Sequence, residues 1–117
     1  MVSNGQTMRH VIQEINRMQL GAALVVGRDN ILVGIITDGD IRRCLMTQER
    51  IYDRPVQEVM TRDPKTLGPN SLASQALSIM EKHEITVLPI VNPVQKVRGI
   101  LHLHDILGKG AVRFNDV

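Results

Sequence analysis

The stretch "GIITDGDIRR", residues 34–43, marks the passage from a buried strand into a helix. The run "ILVGII" at 31–36 consists mainly of branched apolar residues, which predicts a short buried strand that ends near Thr37. A helix is predicted from Ile41 to Leu45. The polar side chains between the two elements are Thr37, Asp38 and Asp40. A helix start has backbone N–H groups without partners and favours anions, so this stretch is either a binding site or simply the beginning of the helix.

The chain contains two copies of one pattern. A shift of 65 positions places Gly34 on Gly99 and Asp40 on Asp105 without a gap. The same shift superposes "LGAALVV" at 20–26 on "ITVLPIV" at 85–91. The apolar positions of one predicted helix face also fall on those of another: Met8, Val11, Ile12 and Ile15 on Ala73, Ala76, Leu77 and Met80. The matching phase of strand, glycine, acid and helix indicates an internal duplication.

Each unit is predicted to have the order β-α-β-β-α, which gives an α/β (α+β) fold. In the first unit Met1 is the counterpart of Thr66, so we expect the opening strand of this unit to be missing. The polar segment with Pro55 is typical of a linker. The predicted limits are repeat 1 at 1–50, a linker at 51–58, repeat 2 at 59–112 and a tail at 113–117.

Composition restricts the function further. The 117 residues are 43% hydrophobic and 22% charged, enough for one domain-sized core. The net charge of +2 is scattered along the chain, and one Tyr, one Phe and no Trp leave little for bases to stack on, so no nucleic-acid partner is expected. The sequence lacks an apolar run of about 18 residues and a signal peptide, which predicts a soluble, cytoplasmic protein without a membrane partner. The lone Cys44 suits a reducing compartment.

The sequence has no nucleophile beside a plausible base, no glycine-rich phosphate loop followed by Lys, and no spaced carboxylate pair. We therefore expect this chain not to be an enzyme by itself. The "DGD" at 38–40 lacks the alternating acids and closing glutamate of a calcium loop.

Together these residues resemble a tandem pair of CBS motifs, also called a Bateman module. "VMTRDPKTLGPNSLASQAL" is similar to the opening of such a motif, and "ITVLPIV" to its second strand with the proline in place. The strings "TDGDIRR" and "LHLHDIL" resemble the C-terminal CBS pair of bacterial arabinose 5-phosphate isomerases of the KpsF/GutQ type. Some nucleotidyltransferases carry a string similar to the first, which leaves them as an alternative parent. The resemblance implies two repeats related by a pseudo-twofold axis, a homodimer, and an N-terminal sugar isomerase domain in the parent chain.

The resemblance also implies ligand binding between the repeats. In CBS pairs the hydroxyl of a Thr or Ser faces phosphate, and an Asp three residues later accepts hydrogen bonds from ribose; Thr37 and Asp40 match this signature. The remaining candidate ligand-binding residues are Gly34, Thr86, Pro89, His102 and Asp105. No cofactor is required, and AMP, ATP or the sugar nucleotide CMP-Kdo are the candidate regulatory ligands.

Several of these residues also have a purely structural interpretation that needs no ligand. Thr37 and Asp40 also match a capping box, Asp38 a solvated first-turn acid, and Arg42 with Arg43 a solvated helix face. Gly34 and Gly99 suit either close strand packing or backbone approach to a ligand.

The second copy has His102 where the hydroxyl is expected. With His104 and Asp105, and His83 nearby in space, it could form a metal site, bind an anionic ligand, or lie on the surface.

Two functions of different classes therefore remain. In one, the module senses a nucleotide or sugar nucleotide for an isomerase. In the other, it is an oligomerisation scaffold whose apolar helix faces, such as "IQEINRMQL", pair subunits.

Overall fold

The computed structural model describes residues 1–18, 21–47 and 50–108. The strands are β1 (Val2–Ser3), β2 (Ala22–Val26), β3 (Leu32–Thr37), β4 (Thr61–Arg62), β5 (Val87–Val91) and β6 (Val97–His102). The helices are α1 (Met8–Met18), α2 (Asp38–Thr47), α3 (Val56–Val59), α4 (Ala73–His83) and α5 (Leu103–Gly108). One sheet has the order β1-β2-β3-β4 and the other the order β5-β6, so the mixed α+β class is confirmed.

The duplication is confirmed down to the strand register. Helices α1 and α4 begin and end at positions that are 65 residues apart. Antiparallel pairing runs from Ala22↔Thr37 in the first repeat and from Val87↔His102 in the second. Each hairpin has an irregularity at the same place, between Val25 and Val26 and between Ile90 and Val91. The two copies therefore share backbone geometry even where their residues differ.

A pseudo-twofold axis relates the two repeats. Ile31 forms an antiparallel bridge with Lys96, and the Leu32 N–H donates to the Gln95 carbonyl at 2.9 Å. Ile31 and Lys96 are equivalent positions of the two copies, so the axis passes between them. The predicted pseudo-twofold arrangement is confirmed.

Three apolar clusters hold the fold together. The first repeat has its own core around Met8, Val11 and Ile36. The second has a smaller one around Met80 and Leu88. A third cluster combines residues of both repeats: Ala22, Leu24, Ile35 and Val87, with Leu32, Val97 and Ile100 packed against them. Burial of this shared surface removes apolar area of both repeats from water and joins them into one body.

The expectation that repeat 1 lacks its opening strand is wrong. Val2 and Ser3 form the short strand β1, which pairs in parallel with Val25 and Val26. In the second repeat Leu67 makes the equivalent parallel bridge to Ile90. Val2 is also buried in the first core. Two residues suffice because one buried side chain and a few backbone hydrogen bonds fix them in place.

The segment expected to be a linker contributes to the core of the first repeat. Ile51 and Val56 are buried, and Val56 begins the short helix α3. The Met8 N–H donates to the Arg54 carbonyl at 2.8 Å, which ties the segment to the start of α1. Although most of this segment is polar, Ile51 and Val56 are apolar and pack into the core of the first repeat. The exact domain limits stay predictions.

Strand β4 follows this segment and joins the sheet of the first repeat. It pairs antiparallel with β3, with Gly34 opposite Arg62 and Ile35 opposite Thr61. A Cβ atom on Gly34 would lie 2.6 Å from the Met60 sulfur and 2.9 Å from the Thr61 carbonyl oxygen. Gly34 therefore serves the close approach of this strand. None of the described helices is both long enough and apolar enough to cross a lipid bilayer.

Candidate functional site

A cleft of about 640 Å³ lies between the two repeats. The first repeat lines it with the end of β3 and the start of α2, and the second with the turn between α4 and β5. The segment 61–65 forms a further wall. The polar and charged lining residues are Thr37, Asp38, Asp40, Arg42, Arg43, Thr61, Asp63, Lys65, Glu84, Thr86 and His102. This mixture of several acids and bases beside apolar wall residues suits a polar ligand more than a hydrocarbon.

Thr37 and Asp40 form a reciprocal pair at the start of α2. One carboxylate oxygen of Asp40, Oδ2, accepts from the Thr37 N–H at 2.9 Å and from its hydroxyl at 3.1 Å. The Asp40 N–H donates back to Thr37 Oγ1 at 3.3 Å. This is the capping-box arrangement, in which two side chains satisfy backbone groups at a helix start. The structural interpretation of this pair is therefore confirmed, and it does not by itself exclude a ligand.

The second carboxylate oxygen of Asp40 joins separate parts of the chain. Oδ1 accepts from the Arg43 guanidinium and from the Thr61 hydroxyl, the latter at 3.1 Å. Asp40 is only 7% exposed, whereas the Arg43 side chain is 70% exposed and reaches in from the surface. Because a buried carboxylate needs partners, these donors offset the cost of burying Asp40. The interpretation of Arg43 as part of a solvated face missed this ion pair; Asp38 is exposed, as a first-turn acid would be.

The second copy of the motif is built differently. Asp105 accepts only the His102 N–H, at 3.0 Å, among the hydrogen bonds found for the described residues, and it is exposed. His102 Nδ1 accepts the His104 N–H at 3.1 Å, so this nitrogen carries no proton and the ring proton lies on Nε2. The two imidazole rings are stacked, with centroids 4.9 Å apart. His102 thus replaces the hydroxyl as the cap of α5.

The seven candidate residues separate into two groups. Thr37, Asp40, Thr86 and His102 line the cleft. Gly34, Pro89 and Asp105 do not: Gly34 and Pro89 are buried in their sheets, and Asp105 lies outside the cleft wall. The cleft therefore brings together residues of both copies that are far apart in the sequence.

Sequence reasoning did not assign the wall at 61–65 to the site. Thr61, Asp63 and Lys65 all line the cleft. The string "TRDPK" that contains them was recognised as a motif opening, but its contact with the first repeat depends on strand pairing over more than 20 residues. The one available signal was Gly34 itself, since a glycine in a strand indicates that another backbone comes close.

The described residues contain no group of three or more His, Cys, Asp or Glu that could hold a metal ion. His102 and His104 contact one another, and His83 adds no third ligand to them within that part of the chain. The groups that line the cleft are suited to binding a ligand. They are basic side chains on one helix and one loop, a helix N-terminus, and a buried carboxylate.

A comparison with protein-family models identifies these repeats. The model for the CBS domain matches residues 1–47 and 56–111. The chain belongs to the CBS-domain family. Its two CBS repeats are the two units described above, and the cleft lies between them.

Curated relatives of this CBS pair include arabinose 5-phosphate isomerases. KdsD of Francisella tularensis is 39% identical over 100 residues, which cover 86% of this chain and 30% of the relative. KdsD of Yersinia pestis is 35% identical over 111 residues, covering 95% of this chain and 34% of the relative. The chain thus spans about a third of the length of the relatives it matches.

Solved CBS structures share the fold. The CBS domain protein PAE2072 from Pyrobaculum aerophilum, whose structure is a complex with AMP, superposes with a TM-score of 0.81 at 26% identity and covers 90% of this chain and 82% of its own. The CBS domain NE2398 superposes with a TM-score of 0.83 at 22% identity, covering 95% and 86% of the two chains.

Proposed function

We propose that the chain is the regulatory, ligand-sensing module of a cytoplasmic D-arabinose 5-phosphate isomerase. In this proposal the catalytic reaction belongs to an N-terminal sugar isomerase domain of the parent chain, and the module binds a nucleotide or sugar nucleotide. AMP, ATP and CMP-Kdo are the candidate ligands. The observation that carries the proposal is the cleft between the repeats, because it combines Thr37 and Asp40 with Thr86 and His102.

The size and charge of the cleft support a phosphorylated ligand. Its volume of about 640 Å³ falls within the usual range for small-molecule sites. Arg42 and Lys65 line it from two different elements and supply positive charge for a phosphate. The N-terminus of α2, a helix of ten residues, adds the favourable end of the helix dipole.

Asp40 is the proposed receptor for the ribose hydroxyls. Its Oδ1 now accepts from Arg43 and Thr61, so a diol must replace at least one of these donors. Arg43, once released, is free to pair with the phosphate of the same ligand. The hydroxyl of Thr37 would turn from Asp40 Oδ2 and donate to that phosphate. After this exchange Arg43 is paired with the phosphate, and Asp40 stays hydrogen-bonded through the diol.

The other candidates take different roles in the proposal. Gly34 and Pro89 shape the strands behind the cleft. His102 donates from Nε2 to an anionic group of the ligand, and Asp105 with it forms a second, weaker position. Thr86 contacts the ligand from the second repeat.

Isothermal titration of the chain with AMP, ATP and CMP-Kdo tests this function. We expect saturable binding of at least one of them, and a loss of affinity of about tenfold or more in Thr37→Ala, since a hydrogen bond to a charged group contributes about 1.5 to 3 kcal/mol. Thr47→Ala is the matched control, because Thr47 lies at the far end of α2 and donates there to the Cys44 carbonyl. No heat change with any of the three ligands would refute the sensing proposal.

A scaffold function is the second candidate, and a specific surface favours it. An apolar groove of about 360 Å³ between α1 and α2 includes Ile12, Ile41 and Leu45. Leu45, Met46 and Tyr52 are large apolar or aromatic side chains exposed at 49 to 85%. In this proposal a second copy of the chain covers the groove and forms a homodimer.

Sedimentation velocity tests the scaffold. We expect a dimer at micromolar concentration that Leu45→Glu converts to a monomer, because a charge in an apolar interface is costly. Val94→Glu is the control, since Val94 is also exposed, lies in the β5–β6 turn and is outside the groove. A monomeric wild-type chain would exclude the scaffold.

A further inference from the structure

The charged side chains that line the cleft include more acids than bases. Among the described residues the bases are Arg42, Arg43 and Lys65. The acids are Asp38, Asp40, Asp63 and Glu84. Asp40 and Arg43 form an ion pair with each other. The cleft therefore has no excess of positive charge that would attract a highly charged anion.

The size of the cleft brings all of these charges close to one ligand. A sphere of 640 Å³ is about 11 Å across, which is close to the Debye length of about 10 Å at 0.1 M salt. Salt ions therefore screen a bound ligand only in part from any wall of the cleft. A ligand in this space interacts with the acids as well as with the bases.

The bases and the acids are not distributed evenly over the walls. Arg42 and Arg43 lie on α2 of the first repeat, near the helix end whose dipole favours anions. Glu84 follows the C-terminal end of α4 in the second repeat, where the helix dipole has the opposite sign. Asp63 and Lys65 share the wall at 61–65. A phosphate is thus favoured beside α2 and disfavoured beside Glu84.

The fold does not depend on the charges of Asp63 and Glu84. Within the described part of the chain, neither side chain takes part in a hydrogen bond or an ion pair. Both residues have a positive φ, 49° and 54°, a region that Gly and Asn adopt more readily than Glu. The backbone at these positions therefore does not call for a carboxylate, and both carboxylates can act on a ligand.

We propose that the cleft selects a ligand with a single phosphate over a triphosphate, and that Asp63 and Glu84 are the specificity-determining residues. This inference rests on the proposed function, in which basic side chains of the cleft bind the phosphate. A nucleoside monophosphate carries about two negative charges at neutral pH and a triphosphate about four. The bases balance the charge of the first, whereas the additional phosphates of the second must share the cleft with the two carboxylates. Nucleoside monophosphates and sugar nucleotides with one phosphate form the preferred class.

Isothermal titration with AMP, ATP, CMP and CTP tests the inference, because the members of each pair differ only in the number of phosphates. EDTA is present, since a divalent cation would neutralise part of the triphosphate charge. We expect the monophosphate of at least one pair to bind about fivefold or more tightly than its triphosphate. This preference should become smaller when KCl is raised from about 0.1 M to about 0.5 M, because salt screens the repulsion.

A double variant, Asp63→Asn with Glu84→Gln, removes both charges and keeps the size of the side chains. The preference for the monophosphate should shrink by about threefold or more, because the more highly charged ligand gains more from the loss of each acid. Asp29→Asn is the matched control. Asp29 also has a positive φ, 55°, but lies outside the cleft, so this change should leave the preference as it is.

The outcomes separate this inference from the proposed function. A triphosphate that binds as tightly as its monophosphate would overturn the inference and leave ligand sensing intact. A preference that the double variant does not change, or that Asp29→Asn changes equally, would also overturn it, as would a preference that does not respond to salt. Binding of CMP-Kdo without any of the four nucleotides would overturn the inference alone. Failure of all five ligands would remove the sensing function, and the inference with it.

Discussion

The substitutions Gly34→Ala and Gly99→Ala form a matched test of the strand contact. At Gly34 the added Cβ would lie 2.6 Å from the Met60 sulfur and 2.9 Å from the Thr61 carbonyl oxygen. The side chain of Met60 can adjust, but the Thr61 oxygen belongs to a paired backbone. At Gly99 the nearest atom is the terminal methyl of Ile90, at ordinary contact distance. The same chemical change is therefore strained at one copy and tolerated at the other.

The magnitudes follow from two opposing effects. Overpacking a buried site destabilises a protein by about 1 to 3 kcal/mol. Replacing Gly by Ala in an unstrained strand stabilises it by about 0.4 to 1 kcal/mol, chiefly because the unfolded chain loses freedom. We expect Gly34→Ala to lower the free energy of unfolding by about 1 to 2 kcal/mol, and Gly99→Ala to leave it unchanged or raise it by up to about 1 kcal/mol.

Urea denaturation followed by circular dichroism measures both values, and thermal melting gives a second reading. For a domain of this size Gly34→Ala should lower the melting temperature by about 4 to 10 °C. A double-mutant cycle locates the strain, since part of the loss should disappear in a Met60→Ala background. Equal effects of the two glycine substitutions would refute the reasoning.

Three further predictions concern the site and the core. Thr37→Ala should lower the free energy of unfolding by about 1 kcal/mol, since it removes the cap of α2, and urea denaturation gives the value. Thr61→Val should cost about 0.5 to 1.5 kcal/mol because Asp40 loses a donor, with Thr61→Ser close to wild type in the same assay. Leu88→Ala should lower the free energy of unfolding by about 2 to 5 kcal/mol, because Leu88 is fully buried. Leu45→Ala, at an exposed position, should change the stability of the monomer by about 0.5 kcal/mol or less in the same thermal melt. Similar losses for the two leucines would contradict the assigned core.

The parts of the fold that the sequence predicted are those with a repeating signal. The hairpins β2–β3 and β5–β6 have apolar runs that recur at one period, so their pairing was predictable. Strand β1 was missed because two residues have no periodicity. Strand β4 was missed because Thr61 and Arg62 are exposed and polar, and their strand character comes from contact with Gly34.

In the site, too, local contacts were predictable from the sequence and contacts between distant residues were not. The sequence placed Thr37 and Asp40 at a helix start because capping is a local property, and the structure has them there. The contacts of Asp40 with Thr61 could not be predicted, because they connect residues that only the tertiary fold brings together. Arg43 lies within local reach of Asp40, but a paired arginine and a solvated one look alike in a sequence.

The Oδ1 atom of Asp40 couples the cleft to the segment that connects the two repeats, because it lines the first and accepts a hydrogen bond from the second. Oδ1 holds Arg43 of its own helix and Thr61 of the strand that leads into the second repeat. Any molecule that competes for this oxygen must detach one of them. If it detaches the Thr61 hydroxyl, β4 loses a side-chain contact with α2 and keeps its backbone pairing with β3. Binding in the cleft would then weaken the contact between α2 and the strand that leads into the second repeat.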